Sequence, residues 1–123
     1  MWSNSTVKDL MKIKELEEKS GFTRDTIRYY EKIKVLNSPV RDLNGYREYS
    51  MDHLNDLLFI KSSKRIGLTL DEIRLALKNV RRLGRLCDGV KEDLARKKKQ
   101  IRKEIKEKEN ALKEINKILK GLS

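Results

Sequence analysis

The sequence contains few of the residues that form catalytic, metal or disulfide-stabilised sites. Its 123 residues include one cysteine, one histidine and one proline. A single cysteine cannot form a disulfide within the chain, which favours the reducing cytoplasm as the compartment. The sequence has neither a nucleophile–base pair, a glycine-rich phosphate loop, nor a His/Cys/carboxylate cluster with ligand spacing. We therefore expect no enzymatic activity, no cofactor and no metal site.

Aromatic residues and long apolar runs are also scarce. Two Phe, one Trp and four Tyr, with 37% hydrophobic residues in all, suffice for one small core. No apolar run approaches the roughly 18 residues of a transmembrane helix. The first ten residues lack the basic start and apolar block of a secretory signal, and we treat 1–10 as an N-terminal extension. These absences predict a mostly helical protein with one compact domain, an elongated part and no membrane partner.

Positive charge is the most abundant feature of the chain. Thirty Lys and Arg residues against nineteen Asp and Glu give a formal charge of +11, and 40% of all residues are charged. A small protein with this excess has a polyanion as its natural partner, and nucleic acid is the first candidate.

The segment 13–31 has the pattern of a helix-turn-helix. Ile13 and Leu16 mark one face of a short helix that ends at Gly21, and Thr23 is placed to cap the next helix. The second helix of such a pair enters the major groove of DNA. Its candidate DNA contacts are Thr23, Arg24, Arg28 and Tyr29. Two short helices around a glycine also occur in proteins that do not bind DNA, so this segment alone leaves both alternatives open.

The segment 40–49 predicts a β-hairpin. Asn44-Gly45 is a strong turn signal between two short strands. A hairpin that follows a helix-turn-helix is a wing, and its basic and hydroxyl side chains are suited to the sugar-phosphate backbone. We assign DNA contacts here to Arg41, Tyr46, Arg47 and Tyr49. The alternative is a structural hairpin with a solvated basic face.

A second helix pair follows the hairpin. Ser50 is placed to cap a helix that ends near Gly67, and Thr69 with Glu72 forms a capping box for the next helix. Lys64 and Arg65, at the end of the first of these helices, are further candidate phosphate contacts. Alternatively, they are favourable partners of the helix dipole. The DNA-binding domain then spans 11–82, and 83–89 is a linker.

The last third of the chain predicts one long helix over 90–122. No Gly or Pro occurs between Gly89 and Gly121. Steps of four and three residues from Leu94 pass through Lys98 and Lys108 and otherwise meet only apolar residues. This is a heptad seam, which a lone helix cannot cover. We predict a coiled-coil homodimer whose seam consists of Leu94, Ile101, Ile105, Leu112, Ile115, Leu119 and Leu122. The alternative is a helix folded back on its own domain, and the pattern alone does not give the direction of the two helices.

Three motifs together resemble the DNA-binding domain of MerR-family transcriptional regulators. They are Thr-Ile-Arg-Tyr-Tyr-Glu at 26–31, Gly-Tyr-Arg-Glu-Tyr at 45–49 and Gly-Leu-Thr-Leu-Asp-Glu-Ile at 67–73. The resemblance covers about residues 11–80 and extends through the long helix. It implies a winged helix-turn-helix with an antiparallel coiled-coil dimer. It further implies that the dimer binds a palindromic promoter operator and distorts it for RNA polymerase.

The sequence departs from that family at three points. Glu17 stands where the family usually has a small Ala before the turn glycine. Metal sensors of the family pair a cysteine near the start of the dimer helix with a later cysteine-bearing loop, whereas this chain has only Cys87. A separate effector-binding domain is also missing, so we interpret the chain as a short form.

Cys87 remains a candidate thiol sensor. Arg81, Arg82, Arg85 and the start of the long helix lie near it in sequence and would favour a reactive thiolate. The alternatives are a shared metal site and an inert packed cysteine. One cysteine per subunit does not supply the ligands that soft metals require.

Taken together, the sequence predicts a dimeric, sequence-specific DNA-binding transcriptional regulator. One alternative is an architectural or recombination-accessory DNA-binding protein, which would bind many sites with little preference. Another is a coiled-coil scaffold that does not bind DNA.

Overall fold

The computed structural model describes residues 10–122, so the proposed extension lies outside the described residues except for Leu10. The chain divides into two units between Leu86 and Cys87. The first unit contains four helices and a two-stranded hairpin, and the second is one long helix. In chain order the elements are α1 (Ile13–Ser20), α2 (Arg24–Lys32), β1 (Val40–Arg41), β2 (Arg47–Glu48), α3 (Met51–Arg65), α4 (Leu70–Leu83) and α5 (Asp88–Leu122). The mostly helical fold with a wing is as predicted.

The predicted turn between α1 and α2 is confirmed. Gly21 ends α1 in the left-handed conformation, with φ of 78°, and its N–H donates to the Glu17 carbonyl. Residues with a Cβ rarely adopt this conformation, so glycine suits the corner. Two residues later, the Thr23 Oγ1 accepts a hydrogen bond from the Thr26 N–H at 3.2 Å and caps α2.

The hairpin forms where it was predicted, but its turn is longer than a two-residue turn. β1 and β2 are antiparallel, with Val40 opposite Glu48 and Arg41 opposite Arg47. The Asp42 carboxylate accepts hydrogen bonds from the N–H groups of Asn44 and Tyr46. Among the non-glycine residues described, Lys34 alone has a positive φ, so Asn44 does not take the conformation that a two-residue type I′ turn requires. Gly45, with φ of 82°, supplies it instead.

The core of the first unit lies between the four helices and the base of the hairpin. The predicted capping box of α4 is present, since Thr69 and Glu72 bond each other's backbone N–H groups at 3.2 and 2.9 Å. The buried apolar residues of this unit are Met11, Leu16, Ile27, Tyr30, Val35, Leu36, Tyr49, Leu54, Leu57, Ile60, Leu68, Ile73, Ala76, Leu77 and Val80. They come from all four helices and from the segments that flank them.

Two arginines of α4 tie the end of α2 to the rest of the unit. The Arg74 guanidinium donates to the Ile33 carbonyl at 2.8 Å, and Arg81 donates to the Val35 carbonyl at 3.3 Å. Arg81 also forms an ion pair with Asp56 of α3, whose side chain is 3% exposed. Both carbonyls lie just beyond the last residue of α2, outside its helical hydrogen bonds, so the two arginines supply partners for them.

Helix α5 begins at Asp88, two residues earlier than predicted, and continues to Leu122. Leu94 is half-buried, and the other six seam residues are exposed, from 40% at Ile101 to 85% at Leu122. Ile118, which the seam did not include, is also 56% exposed. Within residues 10–122, no helix combines the length and apolar content needed to cross a membrane.

Candidate nucleic-acid interface

A groove with basic walls lies between the start of α1, helix α2 and the wing. Its volume is about 480 Å³, and it is lined by Lys12, Ile13, Lys14, Arg24, Arg28, Arg41, Gly45, Tyr46 and Arg47. Six of these nine residues are Lys or Arg. The fold therefore brings together four of the predicted DNA contacts from α2 and the wing, namely Arg24, Arg28, Arg41 and Arg47. Tyr46 is the fifth predicted contact in the groove.

The outer face of α2 is exposed and presents charged and aromatic groups. Arg24 donates to the Glu17 carboxylate at 3.1 Å, so the residue that departs from the family pattern forms a surface ion pair. Arg28 is exposed, and its side chain forms no hydrogen bond or ion pair with the described residues. Tyr29 is 50% exposed. Arg28 is thus available to a ligand in the groove.

Lys12 forms ion pairs with two carboxylates of the wing. It was not among the predicted site residues. Its Nζ lies 2.7 Å from Asp42 Oδ2 and 2.9 Å from Glu48 Oε1. The hydrogen bond from Lys12, followed by the one from the Tyr46 backbone, lowers the pKa of Asp42. The carboxylate therefore supports the wing at neutral pH, and this support is lost as the pH falls through that lowered pKa. Lys12 precedes α1, and no sequence signal related it to a hairpin 30 residues away.

Tyr49 corrects the sequence analysis. We predicted that its hydroxyl contacts DNA, but Tyr49 is 0% exposed and its hydroxyl donates to Glu31 Oε1 at 2.6 Å. Burial and this hydrogen bond raise the pKa of Tyr49. Arg47 Nε lies 3.5 Å from Glu31 Oε2, so the same carboxylate also attracts the wing. Arg47 and Tyr49 are two residues apart and both reach Glu31, so they share a face of the strand. Tyr49 lies at the base of the hairpin, paired with Met11, and the core covers it there.

We expect Tyr49→Phe to destabilise the protein without weakening a phosphate contact. The hydroxyl bonds a charged group, and such bonds contribute about 1.5–3 kcal/mol. Urea denaturation should show a loss of about that size, while the salt dependence of DNA binding stays that of the parent. Tyr46→Phe, which removes an exposed hydroxyl, is the control for stability. A changed salt dependence with unchanged stability would restore Tyr49 as a DNA-contacting residue.

Comparison with known proteins identifies the family. Residues 11–80 match the family described as MerR HTH family regulatory protein, and residues 54–118 match the family described as MerR, DNA binding. The mercuric resistance operon regulatory protein of Bacillus cereus is 35% identical over 111 residues, covering 90% of this chain and 81% of that protein. This chain belongs to the MerR family.

Other MerR-family members match shorter or comparable lengths. The HTH-type transcriptional regulator CueR of Yersinia pestis is 41% identical over 64 residues, which are 52% of this chain and 46% of CueR. The chain thus spans about half the length of several curated relatives that it matches. The crystal structure of MtaN, the N-terminus of the Bacillus subtilis multidrug transporter activator, covers 92% of this chain with 29% identity. Its TM-score is 0.63, with 99% of MtaN covered, which confirms the MerR-type fold.

Three predicted contacts of this MerR-family chain lie at or beyond the edges of the groove. The Thr23 hydroxyl is occupied by the cap of α2 and by Thr26 Oγ1. Lys64 donates to the Tyr30 hydroxyl at 3.3 Å at the end of α3, and Arg65 is exposed beside it. None of the three lines the groove, and their contacts with DNA stay predictions.

The MerR-type chain shows no metal-binding cluster among its described residues. No group of three or more His, Cys, Asp or Glu side chains converges between residues 10 and 122. Cys87 is half-buried at the start of the second unit. Its assignment as a thiol sensor stays a prediction.

Proposed function

We propose that this chain is a sequence-specific DNA-binding transcriptional regulator that acts as a dimer on a palindromic promoter operator. The observation that carries the proposal is the groove, where six basic side chains from three separate segments surround the exposed face of α2. Phosphate contacts position a protein on duplex DNA, whereas contacts from a recognition helix to base edges give sequence preference. The groove offers both kinds of group side by side.

The two parts of the groove have different roles in this proposal. Helix α2 enters the major groove, and Arg28 contacts a base edge or an adjacent phosphate. Arg41 and Arg47 of the wing hold the backbone, and Lys12 keeps the wing in place through its two carboxylate partners. The exposed side chains of Tyr29 and Tyr46 offer aromatic rings and hydroxyl groups near these arginines.

The dimer in the proposal forms through α5. Its exposed apolar seam is a favourable surface for a second copy, since burial of each large apolar side chain contributes about 1.5–3 kcal/mol. An antiparallel arrangement also lowers the repulsion between the most basic parts of the two helices. Seven of the eleven residues from Arg96 to Lys106 are basic. Parallel helices would place these two bands side by side, whereas antiparallel helices centred near Lys108 would place each band beside residues 110–120, which contain three Lys and one Glu. RNA polymerase at the promoter is the further partner proposed, and the cytoplasm the compartment.

We expect Arg28→Ala to reduce operator affinity by about 1–3 kcal/mol, because the variant loses the contact of this exposed guanidinium with a base edge or phosphate. The operator is first located by footprinting DNA upstream of the gene, and affinities are then measured by fluorescence anisotropy. Arg82→Ala, which removes an exposed arginine of α4 outside the groove, is the matched control and should bind like the parent. Equal affinity of Arg28→Ala and the parent for operator DNA would contradict the assignment. Protection of many unrelated sites without preference would instead favour an architectural protein.

A further inference from the structure

A continuous basic stripe runs along α5 on the face opposite its apolar seam. Alternate steps of three and four residues from Arg96 to Lys120 meet eight positions, of which seven are Lys or Arg and the eighth is Asn110. At 100° per residue, these positions lie about 150° around the helix from the seam. The stripe consists of Arg96, Lys99, Lys103, Lys106, Lys113, Lys117 and Lys120. Four of its lysines are spaced by seven residues, at 99, 106, 113 and 120.

Every residue of the stripe is exposed. Arg96 pairs with Asp93, and Lys117 lies 3.6 Å from Glu114. The side chains of the other five form no ion pair or hydrogen bond within residues 10–122. The outer face of a coiled coil is ordinarily solvated by both signs of charge, with Glu and Lys paired at a spacing of four. Here like charges succeed each other at spacings of three and four, which destabilises an isolated helix. An anionic partner would relieve that repulsion.

The composition of α5 restricts what that partner is. The segment 88–122 contains no Phe, Trp or Tyr. Single-stranded nucleic acid is bound by stacking of bases on aromatic side chains. An interfacial membrane helix inserts its apolar face, commonly with aromatic residues, into the lipid. In the proposed dimer the apolar seam of α5 is covered by the second copy and is not available for insertion. Both partners are therefore disfavoured.

We propose that the basic stripe of α5 binds the phosphate backbone of duplex DNA, independently of base sequence. From Arg96 to Lys120 the stripe rises by 24 steps of about 1.5 Å, or about 36 Å, which is close to one turn of B-DNA. Lysine is a flexible point charge that suits contacts to phosphate without base reading. The stripe adds a second DNA-binding surface to the groove of the first unit. In a dimer, the stripe of each helix faces outward, because the apolar seam that joins the two helices is on the opposite face.

The test compares two double variants that remove the same charge from the same helix. Lys106→Gln/Lys113→Gln neutralises two stripe positions, and Lys91→Gln/Lys97→Gln neutralises two lysines outside it. Gln and Lys have similar helix propensities, so both variants should keep the helix, which circular dichroism and sedimentation will check. Affinity for a random 40-base-pair duplex is measured over a range of salt concentrations. A quadruple variant with Gln at 99, 106, 113 and 120 removes more of the stripe and should lose more DNA affinity than the double variant.

We expect the stripe double variant to lose several-fold affinity for random duplex and the quadruple variant about tenfold or more. The slope of log K against log salt should fall by about 0.9 for each phosphate that the variant no longer neutralises. The control variant should stay within about twofold of the parent. Equal losses in both double variants would show an effect of net charge only and overturn the stripe. Unchanged binding in both would also overturn it.

Two further measurements separate this proposal from neighbouring ones. Phosphatidylserine vesicles that bind the parent but not the stripe variant, with DNA binding unchanged, would overturn duplex DNA as the partner. Operator binding by the parent is measured in parallel. If operator preference is present while the stripe variants match the parent on random duplex, the proposed function stands and the stripe fails. If the parent has no operator preference but loses random-duplex binding with the stripe, the proposed function fails and the stripe stands.

Discussion

Replacement of both Ile105 and Leu112 by Asp is expected to convert the proposed dimer into a monomer. Both side chains lie in the exposed apolar seam of α5, at 52% and 60% exposure in the single chain. In the dimer they would be covered, so the double variant places four carboxylates in an apolar interface. Burial of an unpaired charge costs more than the interface gains from the remaining seam residues. Sedimentation velocity at micromolar concentration should show a species of half the mass.

The monomer should also bind a palindromic operator far more weakly. Two half-sites engaged by one linked molecule reach a much higher avidity than one half-site alone, typically by a factor of about 10²–10⁴. A matched control is Gln100→Asp/Asn110→Asp, which adds two carboxylates to α5 outside the seam. This control should remain a dimer in sedimentation, which separates loss of the apolar seam from the effect of added charge. A double variant of Ile105 and Leu112 that still sediments as a dimer would place the interface elsewhere.

The second large effect is expected from Arg81→Met. Asp56 is almost fully buried, and Arg81 supplies its cation while also donating to the Val35 carbonyl. Removing one partner of a buried ion pair costs about 3–5 kcal/mol, because the other charge loses its counter-charge. We expect about 3 kcal/mol, the lower end of the range, because the Arg81 side chain is 27% exposed and water is near the site. Methionine retains most of the aliphatic part of the arginine side chain, so the substitution mainly removes the guanidinium.

Urea denaturation measures the loss in the free energy of unfolding. Two further variants test whether the loss comes from the ion pair. Arg82→Met removes the neighbouring exposed arginine from the same helix and should change stability by less than about 0.5 kcal/mol. The double variant Asp56→Asn/Arg81→Met removes both charges and should recover part of the loss, since a neutral amide costs less to bury than a carboxylate. Stability of Arg81→Met within about 0.5 kcal/mol of the parent would show that the pair does not support the fold.

Local signals in the sequence predicted the elements of the fold. Gly21, Thr23 and the Thr69–Glu72 capping box each act within one helical turn, and all three were found as predicted. The hairpin followed from Asn44-Gly45, but the Asp42 side chain determined its longer turn. A turn signal in the sequence locates a hairpin, whereas the competing hydrogen bonds of nearby side chains decide its type.

The parts that the sequence did not predict depend on contacts across many residues. Lys12 reaches Asp42 and Glu48, and Arg81 reaches Asp56 and Val35, across 25 to 46 positions. A lysine or arginine gives the same local signal whether it meets a distant carboxylate or water. Tyr49 was misassigned for a related reason. Its motif resembles an exposed wing, while its pairing with Met11 and its hydrogen bond to Glu31, both distant in sequence, place it in the core.

In the proposed complex with DNA, the carboxylates around the groove make binding an exchange of ion-pair partners. Lys12, Arg24 and Arg47 already face Asp42, Glu48, Glu17 and Glu31 before any phosphate arrives. A phosphate that engages one of these cations replaces an internal anion and not only a mobile counterion. Fewer counterions are then released than the number of cations in the groove suggests. The fixed carboxylates also repel the backbone wherever a cation is not presented to it, so they restrict the registers in which a duplex fits the groove.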